Sequence, residues 1–389
     1  MANQRVGVIG GGQLASMMAG AADRLGIDLV VQTPHAGDPA VKIAAEVLLA
    51  PIDDAQATAQ LATRCEVITF ENEFINLEAL RSLAQQGVCF RPSLEALSPL
   101  LDKYQQRCYL QEIGLPVPRC LALEANPSPS QVLDSPFGFP AVLKARRHGY
   151  DGQGTFIVRD RQSLESIWHR WQHPSFLLEE LIPFERELAV IAARSVTGEV
   201  AIYPVVETQQ QDQVCRWVLA PAHIPAAMTS EIEKMARHLL EQLQFVGVLG
   251  IELFLTPEGR LLVNEIAPRT HNSGHYTLDA CETSQFEMHL RAVAGLPWRS
   301  PALKAAGAVM VNLLGYEHSY HDYGEKRAAI AALPHAHVHW YGKTESRPGR
   351  KLGHVTVLSE RDSLVLTPTD REQKLLQTAR TIESLWYDR

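Results

Sequence analysis

Three things are scarce in this chain, and each scarcity closes off a class of function. Cysteine is one: Cys65, Cys89, Cys108, Cys120, Cys215 and Cys281 are scattered through 389 positions without a C-x-x-C pair. That spacing fits thiols in a reducing cytoplasm better than a disulfide framework or a cysteine-ligated zinc site. Long apolar runs are another. None reaches the roughly 20 residues of a membrane span, and the start MANQRVGVIGGGQ lacks the basic-then-apolar build of a secretory leader. Positive charge is the third: 36 Lys and Arg stand against 44 Asp and Glu, a net charge of −8, which argues against a nucleic-acid surface as the main business. The Walker pattern G-x-x-x-x-G-K-[ST], internal repeats and low-complexity linkers are also missing. The length itself suggests two or three domains.

What is present begins with a short β-branched run, Val6 to Ile9, entering Gly10-Gly11-Gly12-Gln13-Leu14-Ala15. A helical stretch to Leu25, closed by Gly26, and a second strand from Ile27 to Val31 complete a βαβ start. A nicotinamide site should then offer Asp or Glu after the second strand. This chain has Gln32-Thr33-Pro34, so the glycines read as a phosphate or close-approach turn in a doubly wound domain. A strand from Cys65 to Phe70 ends in Glu71-Asn72-Glu73, where such sheets place their ligand crevice, although loop acids are equally common there. Ser98-Pro99 is expected to open a helix running to Ile113. Gly114, Pro116 and Pro118 then mark a domain break.

The second region carries a strand, Ala141 to Lys144, that leads into ARRHGYDGQG. Gly149, Gly152 and Gly154 make this a flap whose amides can close over polyphosphate. Phe176 to Leu178 runs into Glu179-Glu180-Leu181-Ile182, and Glu187 begins another strand; alternating acid and apolar groups on extended backbone suit a purine edge. Ser230 with Glu233, and Ser284 with Glu287, read as capping boxes. Ala308 to Leu314 and His335 to Trp340 read as strands of a C-terminal module, with a polar loop from Glu317 to Lys326 between them and a helix from Thr369 onward. Arg347-Pro348-Gly349-Arg350-Lys351 gathers cations around a turn, either as surface charge or as an anion site.

The densest chemistry lies in LLVNEIAPRTHNSGH, Leu261 to His275. Its partner strand is VLGIELFL, Val248 to Leu255, joined through Thr256-Pro257-Glu258-Gly259 in turn chemistry that suits an antiparallel hairpin. A loop of two or four residues sets Glu252 opposite Val263, with Glu265 diagonally placed on the same face, about 7–8 Å away at the backbone. An odd loop would put the two acids on opposite faces. The alternatives are a hard-cation site or an edge hairpin with solvated acids, and the Arg269, His271, Asn272 cluster that follows favours a site.

In this order, the features resemble the ATP-grasp superfamily. HGYDGQG, NEIAPRTHNSGH and RPGRKLGH are similar to the strings of its carboxyaminoimidazole ribonucleotide synthase family, and the likeness covers nearly the whole chain. The resemblance implies α/β and α+β architecture: an N-terminal doubly wound domain (residues 1–102), an ATP-grasp domain with a small lobe (103–184) and a large lobe (185–305), and a small β-rich module (306–389). It implies ATP-dependent carboxylation of aminoimidazole ribonucleotide by bicarbonate through carboxyphosphate, in a cytoplasmic homodimer that needs neither nucleic acid nor membrane. Lys103, Lys144 and the flap would contact ATP phosphates, Glu179 and Glu187 the adenine and ribose, and Glu180, Leu181 and Ile182 would supply hinge backbone. Glu252 and Glu265, beside Asn264, would hold magnesium, two ions, with manganese as an alternative. Arg269, His271 and Asn272 would hold the carboxyl intermediate, and Tyr150 and Asp151 would close over the nucleotide's amine. Lys351, with Arg347, Arg350 and Gln13, would bind its phosphate, with Glu71 and Glu73 lining the same cleft. Two departures from the family pattern stand out: Ala15-Ser16 in the first loop, and the Gln-rich stretch 208–213, to which no role is assigned. Another ATP-grasp carboxylate–amine ligase and a non-catalytic ATP-binding module are the competing readings; RPGRKLGH opposes the first and the paired acids the second.

Overall fold

A computed structural model describes residues 3–123, 137–147, 149, 154–171, 175–359 and 366–387. Tyr150, Asp151 and Gly152 lie outside the described residues.

The first sheet is parallel, in the order β3-β2-β1-β4, with β1 at Gln4–Ile9, β2 at Ile27–Thr33, β3 at Glu46–Leu49 and β4 at Val67–Phe70. It is doubly wound because successive side chains bury on opposite faces. Val6 and Val8 pack with helix α1 (Gln13–Ala22), while Ile9, Val30 and Ile68 join the cluster under helices α2 (Ala55–Ala62) and α3 (Leu77–Gln85). Gly26 closes the α1 segment in the left-handed conformation at φ 66°, as its position suggests. The helix that reaches the 113–118 break does not start at Ser98. A short helix α4 (Leu94–Leu97) is capped by Ser93, and α5 (Lys103–Glu112) begins at Asp102, whose carboxylate accepts from the amides of Tyr104 and Gln105 at 2.9 and 3.1 Å. Asp102 offers a carboxylate to two amides and so wins the N-cap role over the hydroxyl of Ser98.

The second sheet is antiparallel and joins β5 (Cys120–Leu123), β6 (Ala141–Ala145), β7 (Thr155–Val158) and β8 (Phe176–Glu180) in the order β5-β8-β6-β7. Helix α6 (Arg161–Trp171) covers it. The third sheet has nine strands: β9 (Arg186–Arg194), β10 (Val200–Ile202), β11 (Val206–Gln211), β12 (Val214–Ala220), β13 (Gly247–Leu255), β14 (Leu261–Ala267), β15 (Ala308–Leu314), β16 (Ala336–Trp340) and β17 (Lys351–Leu358). Its order is β14-β13-β9-β11-β12-β15-β17-β16, with β10 on β9. The C-terminal strands therefore extend the same sheet that carries the acidic hairpin.

Helix α7 (Ala226–Leu243) buries Ile232, Met235, Ala236, Leu239, Leu240 and Leu243, the spacing of a single apolar stripe. It starts after Pro225, so Ser230 is interior and its pairing with Glu233 is not a capping box. Proline just before the helix fixes the entry a turn earlier than the Ser-x-x-Glu pattern indicated. The short helix α8 (Thr277–Ala280) precedes α9 (Gln285–Ala294), which does begin at Ser284, whose hydroxyl accepts from the Glu287 amide at 3.2 Å. Helix α10 (Gly324–Ala331) takes up the end of the expected 317–326 loop, and α11 (Pro368–Tyr387) closes the chain.

Candidate active site

The hairpin β13–β14 sits on a cleft of about 1530 Å³ between the three sheets. Its connection is odd: the Thr256 and Arg260 backbones still bond at 2.9 Å, leaving Pro257, Glu258 and Gly259 as a three-residue loop with Gly259 at φ 79°. By itself that register would oppose Glu252 to Asn264 and turn Glu265 away. A bulge beside Asn264 inserts one residue, and Glu252 pairs directly with Glu265. The expected Glu252–Val263 register is thus corrected, and the two acids are closer than a diagonal pair. The bulge also turns Asn264 onto the cleft, where its Nδ2 donates to Glu252 Oε2 at 3.4 Å. Burial, and then the charge of Glu265, push Glu252 up to about 7 despite Lys103, Lys351 and Lys144. Burial would also raise Glu265, but Lys103, bonded to it, and Lys144 hold it below the usual carboxylate range. Two crowded carboxylates beside an amide oxygen form a donor set for a hard divalent cation.

Lys144, on β6, faces this hairpin, with Nζ donating to Asn264 Oδ1 at 3.1 Å. Behind it is a buried ion-pair network: Lys144 meets Glu179 at 2.6 Å, and Arg107 pairs with the other Glu179 oxygen and with the Asn264 carbonyl. Burial would raise Glu179, but Arg107 and then Lys144 hold it down at about 2. The Glu179 side chain is 3% exposed with both oxygens committed. Its carboxylate therefore aims Lys144, while the residue itself lines the cleft. Burial lowers the Lys144 ammonium, with Arg107 and Lys103 adding to the effect against Glu179. Glu187 does face the cleft, pushed up to about 7 by burial and then by Glu252.

Above the cations the wall turns apolar. Ile157, Leu181 and Phe184 are exposed large hydrophobics that line the cleft, and Phe184 stacks on Phe254 with centroids 4.7 Å apart. Glu180 pairs with Arg119 at 2.7 Å, and Ile182 is buried. A slot between apolar walls beside extended backbone suits a flat heterocycle. Gly149 lines the cleft, and Gly154, at φ 82°, accepts from the Ala145 amide at 2.7 Å.

After the hairpin, Arg269 pairs with Glu73 at 3.0 Å, and His271 packs across Gly250 with Nε2 3.6 Å from Glu252 Oε1. Both line the cleft. Asn272 lines the cleft too, and its amide exchanges hydrogen bonds of 3.0 and 2.8 Å with that of Asn312 in β15, which fastens the loop to the sheet. Glu71 lines the cleft as well. It is buried and accepts from the Gly12 and Leu14 amides at 2.6 and 3.0 Å, which fills the start of α1 with an internal carboxylate. Burial, the largest influence, raises it against the amides of Gly12, Ala15 and Leu14. The glycines follow from this: added methyls at Gly10 and Gly12 would lie 2.5 Å from Glu71 oxygens, and one at Gly11 would lie 2.6 Å from Thr33.

On the far wall, the turn before β17 presents Arg347, Arg350 and Lys351 to the cleft. Gly349, at φ 79°, donates to the Gly315 carbonyl at 2.9 Å and seats the turn on β15. Gln13 reaches the same wall, where its Oε1 accepts from Lys343 Nζ at 2.7 Å; Lys343 also donates to the Lys351 carbonyl at 2.7 Å.

Comparison with known proteins agrees with this architecture segment by segment. Residues 3–99 match the ribonucleotide synthetase preATP-grasp domain, 108–286 the ATP-grasp domain and 308–367 the phosphoribosylaminoimidazole carboxylase C-terminal domain. The N5-carboxyaminoimidazole ribonucleotide synthase of Synechocystis sp. is 54% identical over 390 residues, covering 98% of each chain. This chain belongs to the N5-carboxyaminoimidazole ribonucleotide synthase family. The synthase of Synechococcus elongatus is 55% identical over 98% of this chain and 95% of its own. The Aspergillus clavatus synthase, solved with ADP and 5-aminoimidazole ribonucleotide, superposes with a TM-score of 0.87 at 31% identity, covering 98% and 99% of the two chains.

Three residues at this synthase site escaped the sequence reading. Arg107 lies one turn after Lys103 on α5, so the i, i+4 spacing could have revealed it. Asn312 and Lys343 carry no local signal, because their partners are 40 and 330 residues away. The Gln-rich stretch becomes a hairpin whose turn, Asp212-Gln213, has both φ angles positive, at 52° and 62°. Gln210 and Gln211 line the cleft beside it. Among the described residues no helix is long and apolar enough to cross a membrane.

Proposed function

We propose that this synthase-family chain carboxylates the exocyclic amine of 5-aminoimidazole ribonucleotide, using ATP and bicarbonate and releasing ADP and phosphate. The observation that carries this reading is the joint lining of one cleft by the Glu252–Asn264–Glu265 group, the cations Lys103 and Lys144, and the Arg347–Lys351 turn. ATP lies with its purine against Ile157, Leu181 and Phe184, Glu187 at its ribose, and its phosphates toward Lys103, Lys144 and the flap. Glu252 and Glu265, paired directly across the hairpin, would hold divalent magnesium, with manganese able to take its place. When bound, the cations neutralise charge on the β- and γ-phosphates.

Bicarbonate is a weak electrophile. Attack of its oxygen on the γ-phosphorus breaks the bond to the β,γ-bridging oxygen and gives carboxyphosphate and ADP. The amine nitrogen then forms a bond to the carboxyl carbon, with phosphate leaving and the amine losing a proton. Arg269, oriented by Glu73, and His271, oriented by Ser273 at 2.9 Å, stabilise the charge that develops on the carboxyl oxygens. Tyr150 and Asp151 are assigned to the amine. Lys351, Arg347 and Arg350 take the nucleotide phosphate, with Gln13 and Lys343 bracing Lys351 from behind. The enzyme works in the cytoplasm as a homodimer, a state that sedimentation can check. Carbon-13 bicarbonate should label the carbamate carbon of the product only when ATP is present. Labelled carbonate species and unreacted nucleotide alone would overturn the assignment.

A further inference from the structure

The C-terminal sequence carries His335-Ala336-His337-Val338-His339 and, past the cationic turn, His354. His337 and His339 share a strand face, and His339 lies directly opposite His354 in the β16–β17 register. The two imidazoles stack with centroids 4.6 Å apart and planes 15° apart. From the other side, Asp279 of helix α8 places Oδ2 2.8 Å from His339 Nε2 and Oδ1 3.7 Å from His337 Nδ1. Donor atoms of Asp279, His339 and His354 all lie within 4.8 Å of one another. None of these residues lines the catalytic cleft.

An ion pair between Asp279 and His339 could by itself simply pin α8 to the hairpin. It leaves His354 unexplained. That residue is fully buried; its Nδ1 meets the Tyr341 hydroxyl at 2.7 Å, and its Nε2 makes no hydrogen bond. When Nδ1–H donates to the Tyr341 oxygen, Nε2 keeps a lone pair, the arrangement in which a metal-ligating imidazole is held by a neighbour. A buried acceptor without a partner is unfavourable, and a cation would turn it into a ligand. His275, its ring 5.1 Å from that of His354, is also fully buried with Nε2 making no hydrogen bond. His339 is 32% exposed, which opens the cluster to solvent.

We infer that Asp279, His339 and His354 form a second metal site, for a divalent first-row transition ion, best matched by zinc. Two imidazoles and one carboxylate make a borderline-soft donor set that suits zinc and disfavours magnesium, which prefers oxygen alone. Water completes the coordination. Ligands about 2.0–2.1 Å from zinc lie roughly 3.3 Å apart, so side-chain rotations of about 1–2 Å close the set. The ion ties α8, which follows the Arg269–His275 loop, to β17, which begins with Lys351. It would therefore fix two walls of the cleft relative to each other.

The test uses tag-free, chelator-treated full-length protein, with zinc titrated by calorimetry and cobalt by visible absorption. Wild type and Glu265→Gln, which alters only the cleft acids, should each bind one equivalent of zinc and develop cobalt d–d bands. His339→Ala and Asp279→Asn, shown to be folded by circular dichroism, should weaken zinc at least about tenfold, and Tyr341→Phe about 10–100-fold. Should one ligand variant not fold, the other decides. Wild-type zinc affinity in the folded ligand variants, or no zinc bound by wild type beyond what Glu265→Gln abolishes, would overturn the site.

Discussion

Glu252 stands directly opposite Glu265 across the hairpin, and it does so only because a bulge at Asn264 compensates for a three-residue turn. Replacing Glu265 with Gln removes a charged ligand while keeping its shape. Turnover at saturating magnesium should fall about 100-fold or more, since the charge stabilisation involved is worth several kcal/mol. Steady-state kinetics over a magnesium range would measure it, and wild-type turnover would defeat the metal assignment.

Glu179 lies between Arg107 and Lys144, all three nearly excluded from water. Glu179→Gln leaves two buried cations without their counter-charge, and breaking a buried pair in this way costs about 3–5 kcal/mol. Urea unfolding should show that loss, together with a raised KM for ATP as Lys144 loses its guide. A loss below about 1 kcal/mol would mean that the network is not what holds Lys144.

His289 gives the protein an acid limit. It is fully buried in α9, bonded to Thr69 at 2.8 Å and to the Val248 amide at 3.1 Å, and burial depresses its pKa from 6.5 to about 4. Unfolded chain takes up the proton below about 6.5, whereas the folded chain resists until about 4. Stability is therefore intact above 6.5 and declines as pH falls through that window, by ~3 kcal/mol at 1.36 kcal/mol per unit. His289→Gln should flatten that part of the stability profile, and an unchanged slope would assign the acid sensitivity elsewhere.

The glycine loop is shaped for Glu71, which already fills the start of α1. Gly12→Ala sets a methyl 2.5 Å from Glu71 Oε1 and should destabilise the first domain by about 1–3 kcal/mol. NADH should show no saturable binding to the wild type. Saturable binding, or unchanged stability in Gly12→Ala, would restore the dinucleotide reading.

Features decided within a few residues were legible in the sequence. The Gly26 stop, the Ser284 cap, the acidic hairpin and the cationic turn before Lys351 all depend on neighbours in the chain. Features decided by distant partners were not. Nothing near Asn264 announces a bulge, because register depends on how the whole strand packs. Glu179 and Asn272 look like free polar groups until Arg107 and Asn312 arrive from 72 and 40 residues away. Ser98 and Ser230 carry good capping chemistry, but Asp102 and Pro225 set the helix starts instead. Glu71 was legible as a strand-end acid on the cleft, but only the folded loop shows which amides it meets.

One cleft couples ATP cleavage to carboxylation of a nucleotide amine. Release of ADP should require 5-aminoimidazole ribonucleotide and bicarbonate together, falling to a small background when either is omitted. ADP released at the same rate without the nucleotide would contradict the account.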